Sequence, residues 1–187
     1  IIARCKADVP LLTATEYFKN MFDLAQIQHN NFVDLLVYTI DSNIFSSKFE
    51  NLIKINYFEQ FGNNKKLLTF FKEFTRGKYR YNKKLKDKTK QLRLVELHNI
   101  FNNIENKRLN FNSQLDAEKE ILGYLQSTYP VDKRFVYIFS VDTRFSPRVE
   151  TYCLNNGARA SVKVQKKLYD NKAFYGGEIL KIKSFKK

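Results

Sequence analysis

Directly after Gly62 the chain reads Asn63-Asn64-Lys65-Lys66, between two apolar helical stretches in LIKINYFEQFGNNKKLL, residues 52–68. A glycine can close one helix in a left-handed conformation, and an Asn can cap the next. The first-turn N–H groups of that second helix then point outward at the positive end of its dipole. Lysines there are unfavourable for the helix itself, so the placement makes sense if an anion such as a backbone phosphate completes the site. Gly62, Asn63, Asn64, Lys65 and Lys66 are therefore the first candidate binding residues. The same pattern also serves plain helix packing, and a single glycine departs from the Gly-x-Gly hairpin that grips phosphate best.

A second group follows at once. Residues 72–93 hold ten basic and two acidic side chains, with Phe74, Tyr79 and Tyr81 interleaved. Basic groups neutralise phosphates and release counterions, and aromatic rings can stack on bases. Lys78, Arg80, Lys83 and Lys84 are the candidates here, in a segment, 76–90, that reads as an exposed basic loop or linker. A third group lies near the C-terminus: Arg148, Arg159 and Lys163, with Tyr137, Phe139 and Tyr152 on neighbouring strands. That is the aromatic-plus-basic strand surface of an OB-type barrel, although the same rings would equally serve as core.

Catalytic chemistry is absent from the pattern. Cys5 and Cys153 lie far apart and His29 and His98 are isolated, so neither a disulfide framework nor a His/Cys metal site is expected. There is no Gly-x-Ser-x-Gly, P-loop or Asp-x-Asp pair. No catalytic or metal-binding residue is assigned.

The elements that must position these groups change character along the chain. Residues 14–40 read as helices with a break. Thr13 or Thr15 caps the first, with a stripe of Tyr17, Phe18, Met21 and Leu24; Asn31 caps the second, with Phe32, Leu35, Leu36 and Ile40 inward. Residues 44–56 and 63–74 form the helical pair around Gly62. Helical spacing returns over 91–106 through Leu92, Val95, Leu97, Ile100, Phe101 and Ile104, and a last helix runs from Ser113 or Asp116 to Leu125. After Pro130 the period falls to two. RFVYIFSVDT, RVETYCL, ARASVKVQ and GEILKIKSF read as strands, with turns at Asn155-Asn156-Gly157 and Gly176-Gly177. The fold class is α+β: a helical region containing a helix–hairpin–helix over 1–130, then a small antiparallel OB-like β domain over 131–187.

Charge follows the same division. The chain has 187 residues, a net charge of +14, 17 Phe and 11 Tyr. Residues 1–47 are net −2, residues 48–132 net +7 and residues 133–187 net +9. An anionic partner, nucleic acid above all, is implied for the last two segments. No apolar run approaches the roughly 20 residues that span a bilayer. The chain reads as a soluble, cytoplasmic piece of a longer protein, with no membrane partner.

Three motifs in order carry a family resemblance. FENLIKINYFEQFGNNKKLL resembles the segment of bacterial replicative DNA polymerase III alpha subunits in which an apolar helix, an aromatic hairpin, a Gly and an Asn plus a basic residue open the next helix. DAEKEILGYLQSTYP is similar to the acidic-Lys-acidic, Leu-Gly, Tyr-Leu, Pro pattern before the OB domain of those polymerases, with Thr128-Tyr129 in place of the usual Gly-His. HNNFVDLL resembles an upstream helix. The likeness covers residues 29–75 and 112–187.

The resemblance implies the end of the fingers region with its helix–hairpin–helix element, then an OB-type domain, gripping duplex DNA behind the active site. The parent would be a DNA-directed DNA polymerase, a nucleotidyltransferase. Its palm carboxylates and their divalent metal, such as Mg, would lie upstream, so this chain is expected to be inactive alone and to need no cofactor.

Other readings remain beside it. QLRLV and QKKLY distantly resemble peptides that bind sliding clamps, which would make the chain a contact module for a clamp or another replisome subunit. A stand-alone nucleic-acid binder is the third. Duplex DNA, primer–template and single strand are all open as the ligand.

Overall fold

The structure, a computed structural model, describes residues 29–45, 48–171 and 173–183. The stripe of Tyr17, Phe18, Met21 and Leu24, with its Thr cap, lies outside them, as does Cys5. The chain divides into two compact units, one ending at Leu109 and one beginning at Asn110. Helices fill the first and a sheet with helices the second, an α+β arrangement.

In the first unit α1 spans Phe32–Asp41, α2 Phe49–Lys54, α3 Asn64–Arg76 and α4 Asp87–Asn103. Asn31 caps α1 as its sequence suggests, its side chain accepting a hydrogen bond from the Asp34 N–H. Phe32, Val33, Leu35 and Leu36 are buried. A ring cluster grows from there. Phe32 lies 5.7 Å from Phe58, 6.0 Å from Phe49, 6.2 Å from Phe70 and 6.2 Å from Phe101 between centroids. Edge and offset contacts of this kind add about 0.5–1.5 kcal/mol each beyond area burial. The core of this unit is thus built largely from phenylalanine.

Two asparagines close helices here. Asn43 and Asn56 have φ of 58° and 62°. After α2 the Asn56 N–H donates to the Ile53 carbonyl and the Tyr57 N–H to Leu52, the paired bonds of a Schellman turn. Asn43 repeats the device after α1, with Ile44 donating to Thr39. The expected left-handed closure at Gly62 is therefore corrected. The helix before it ends at Lys54, and a further turn and a short 3-10 segment, Glu59–Phe61, intervene. Gly62 itself is extended at φ 144°, ψ 172°, a region open essentially to glycine alone.

The helix after the basic segment begins at Asp87 rather than Gln91, and its inward stripe is also displaced. Leu97 and Phe101 are buried, while Leu92 and Val95 are 63% and 59% exposed. The loop between α3 and α4 is therefore confined to residues 77–86.

In the second unit α5 spans Phe111–Leu122, capped by Asn110 and closed by Gly123 in the left-handed region. Strands β1 (Phe135–Asp142), β2 (Arg148–Cys153), β3 (Arg159–Lys163) and β4 (Ile179–Lys181) follow, with the short α6, Lys166–Asn171, before β4. The sheet order is β3-β2-β1-β4, with antiparallel pairing throughout. Leu115 and Leu125 pack with Tyr137, Tyr152 and Leu154 against one face, while Val136, Ile138 and Val149 meet Phe174, Leu180 and Ile182 on the other. The change of period at Pro130 thus falls inside this unit, which begins at Asn110 and takes Leu115 of α5 into one of its cores. The anticipated alternation in β3 holds: Ala160 and Val162 stand opposite Thr151 and Val149, Arg159 and Lys163 opposite Tyr152 and Arg148. Among the described residues no helix is long and apolar enough to cross a membrane.

Candidate nucleic-acid interface

The start of α3 is bracketed by the protein itself. The Asn63 N–H donates to Asn106 Oδ1 at 2.8 Å and Asn63 Oδ1 accepts from Arg108 Nε at 3.0 Å. Asn64 is 2% exposed. Its Nδ2 donates to the Lys54 carbonyl and its Oδ1 accepts from the Leu109 N–H. The Lys66 N–H reaches the Lys107 carbonyl at 3.4 Å. Asn63 sits at the cap position but makes no side-chain cap bond. These amides hold the chain after α4 against the entry to α3, and the first-turn N–H of Lys66 is already taken by the Lys107 carbonyl. Lys66 Nζ lies 4.3 Å over the Phe101 ring, a cation–π contact. Lys65 is exposed and outside every described ion pair.

The turn joining α3 to α4 is different. Tyr81 is 6% exposed, its ring stacked on Phe74 at 5.7 Å and its N–H donating to the Phe74 carbonyl. Its hydroxyl donates to the Asp41 carboxylate at 3.0 Å, and Lys90 Nζ holds the same carboxylate at 2.8 Å. Burial pushes the Tyr81 phenol above its ordinary pKa, with Asp41 adding to the rise. Lys90 is raised by its bonds to Asp41 and Tyr81.

Phe74 and Tyr81, expected as base-stacking rings, are thus core residues that pin the basic loop. Tyr79 is half-buried beneath Arg93, 5.2 Å away, whose guanidinium donates to the Lys78 carbonyl. Lys83 is taken by the Asn43 side chain. Lys72, Arg76, Lys78, Arg80, Lys84, Lys86 and Lys88 stand exposed around this anchored turn, and no described ion pair includes them.

On the sheet, Arg148 and Lys163 are exposed and directly opposite each other, and Arg159 is exposed 6.0 Å from the Phe139 ring. The rings expected beside them are largely interior. Tyr137 is 0% and Tyr152 4% exposed, both under α5, and Phe139 is half-buried. Burial and the neighbouring Asp116 carboxylate, which accepts the Tyr137 hydroxyl at 2.8 Å, push the Tyr137 phenol well up.

The acidic-Lys-acidic run of α5 is occupied by the fold. Glu118 is fully buried and accepts from the Gln126 and Ser127 N–H groups, the Ser127 hydroxyl and Gln114 Nε2. Lys119 Nζ donates to the Phe139 carbonyl at 2.6 Å. One helix thereby ties down the following turn and the central strand.

QLRLV is one turn and more of α4, and QKKLY runs into α6, where the Tyr169 ring packs on Phe174 at 5.2 Å. Neither is extended. His98 pairs with Asp34 at 3.3 Å, and Cys153 Sγ lies 3.4 Å from the Lys133 carbonyl. Among the described residues no group of His, Cys, Asp and Glu is placed to hold a metal ion.

Three polar or exposed features escaped the sequence: Asp41 as the anchor of Tyr81, the helix-closing asparagines, and Phe145, 90% exposed at the β1–β2 turn. Only the last had a local signal, an aromatic inside the turn-like run Asp142-Thr143-Arg144-Phe145-Ser146-Pro147. No protein-family model, curated protein or solved structure matches the chain.

Proposed function

We propose that this chain is a non-catalytic DNA-binding segment of a polymerase III alpha-type replicative polymerase, holding DNA through its backbone. The observation that carries the reading is the turn between α3 and α4. Its cations have no acidic partners among the described ion pairs, and Tyr81 fixes the loop that bears them. A preorganised set of unpaired cations suits a polyanion, since each phosphate contact releases counterions without first breaking an internal ion pair. The path α2–turn–Gly62–α3 is read as the helix–hairpin–helix of the resemblance, and the four-stranded sheet as its OB-type domain. Lys65 would extend the basic surface; Asn63 and Asn64 would shape it rather than touch DNA.

Fluorescence anisotropy with a primed duplex and a single strand, each at several salt concentrations, tests the proposal. Binding should weaken steeply with salt. Combined Lys78→Ala, Arg80→Ala and Lys84→Ala should reduce the slope of log affinity against log salt by about 2–3, at roughly 0.9 per lost duplex phosphate contact. Failure to bind either ligand would sink the proposal. It would leave a protein-contact module, for a clamp or another replisome subunit, as the better account.

A further inference from the structure

In the first unit the large apolar side chains left exposed among the described residues are Tyr38, Leu92 and Val95, at 36%, 63% and 59%. They belong to two helices that run antiparallel. Phe32 meets Phe101, Asp34 meets His98 at 3.3 Å, and Asp41 meets Lys90 at 2.8 Å. Tyr38 shares the Asp34 and Asp41 face of α1 by helical spacing, which sets it level with the stretch of α4 that holds Val95. Leu92 and Val95 are one turn apart on α4. A lone exposed apolar residue needs no explanation, but a group of this kind marks a contact surface.

The chain that leads into α1 arrives at the same place. The His29 ring lies 4.8 Å from that of Tyr38, so the chain folds back along α1 before the helix starts. Its Nε2 is buried without a hydrogen-bond partner. The residues before it lie outside the described ones, and their sequence carries the stripe of Tyr17, Phe18, Met21 and Leu24. At about 1.5 Å per residue in a helix, that stripe is about 10 Å long, the length of two turns of α4. The links from Leu24 to His29 span at most about 18 Å, which keeps the stripe within reach of Tyr38. By helical spacing Glu16 and Asp23 share one flank of the stripe. Lys88, one turn before Leu92, is exposed and in no described ion pair.

We infer that the stripe of Tyr17, Phe18, Met21 and Leu24 docks on the surface of Tyr38, Leu92 and Val95 of its own chain, as an amphipathic helix laid along α4. Apolar anchors at helical spacing fill an apolar face, and the acidic flank turns toward Lys88. A second copy is the poorer occupant. The net charge of +14 opposes the approach of two chains, whereas the tether at His29 holds the segment at high effective concentration. The inference goes beyond the nucleic-acid reading and does not depend on it. The covered helix supplies Lys90, which with Tyr81 holds Asp41, so the segment braces the turn that bears the exposed cations.

The chain contains no tryptophan, so Phe18→Trp gives the full chain one indole. Its emission should be blue-shifted from that of the same chain in urea, equally at every protein concentration. Leu92→Asp with Val95→Asp should return the emission to the unfolded position and speed tryptic cleavage after Lys19 by roughly tenfold or more. Circular dichroism should hold, because both positions are exposed in the described unit. Leu168→Asp, a like change at a 60% exposed position of the second unit, should leave the emission alone. Where the double variant loses its circular dichroism, a nitroxide reads proximity instead. Attached to Leu92→Cys, with Cys5→Ser and Cys153→Ser, it should quench the indole.

An indole already exposed in the parent fold, an emission that stays blue in a folded double variant, or an indole that the nitroxide leaves unquenched overturns the inference. A blue shift that grows with protein concentration assigns the segment to a second copy and overturns it too. None of these readouts involves nucleic acid, so they separate this inference from the fate of the DNA proposal.

Discussion

At the scale of single residues, buried polar groups organise the fold through their hydrogen bonds. Glu118 is the strongest organiser. A fully buried carboxylate with several donors aimed at it cannot be replaced without leaving those donors unpaired. Glu118→Ala is expected to destabilise the chain by about 3 kcal/mol in urea unfolding. Glu118→Gln should recover only part of that, because one amide end presents donors to donors. Tyr81 is the counterpart in the first unit. Tyr81→Phe keeps the stacking on Phe74 and removes the bond to Asp41, a loss of about 1.5–3 kcal/mol by the same measurement. A variant that unfolds at the parent's urea midpoint would show that this hydroxyl does not hold the basic loop.

At the scale of elements, the entry to α3 separates packing from binding. Gly62→Ala places an L-residue at φ 144° and brings its Cβ to 3.3 Å from Asn106 Oδ1, the acceptor of the Asn63 N–H. A cost of about 1–3 kcal/mol is expected from the backbone conformation alone. Asn64→Ala should cost a comparable amount, since the Lys54 carbonyl and the Leu109 N–H lose their buried partner. Lys65→Ala should leave the thermal midpoint within about a degree, as a solvent-facing change away from these bonds. A large loss at Lys65 with none at Asn64 would reverse the assignment of structural and surface roles.

At the scale of the whole molecule, charge and titration set the response to solution conditions. The net +14 makes electrostatics the dominant reason for any polyanion affinity, which salt must therefore control. On the alkaline side, Tyr81 and Tyr137 both have phenols raised above their ordinary value, chiefly by burial. A raised folded-state pKa means the fold prefers the neutral phenol. The stabilisation is complete below the unfolded value near about 10 and is lost as pH climbs through the folded values. Urea midpoints should accordingly stay level through neutral pH and fall above about pH 10, and Tyr137→Phe should flatten that fall. An unchanged alkaline slope in that variant would remove Tyr137 from the account.

The sequence by itself determined the class of element at most positions, because helical spacing of apolar residues and strict alternation are local properties. The Asn31 cap, the alternation in β3 and the turn at Asn155-Asn156-Gly157 are legible for that reason. Charge excess was legible too, since it needs only counting. Which face of a pattern turns inward was not. Leu92 and Val95 are three apart and Leu97 and Phe101 four apart, each a helical spacing, yet the packing of α1 and α3 against α4 selects the second pair. The same limit hid the fate of the rings and amides. Tyr81 looks like a stacking platform until Asp41, forty residues away, accepts its hydroxyl, and Asn64 looks like a phosphate ligand until Leu109 takes its oxygen. Long-range hydrogen bonds are decided by tertiary proximity, so which cations stay exposed emerges only after the fold has claimed its own.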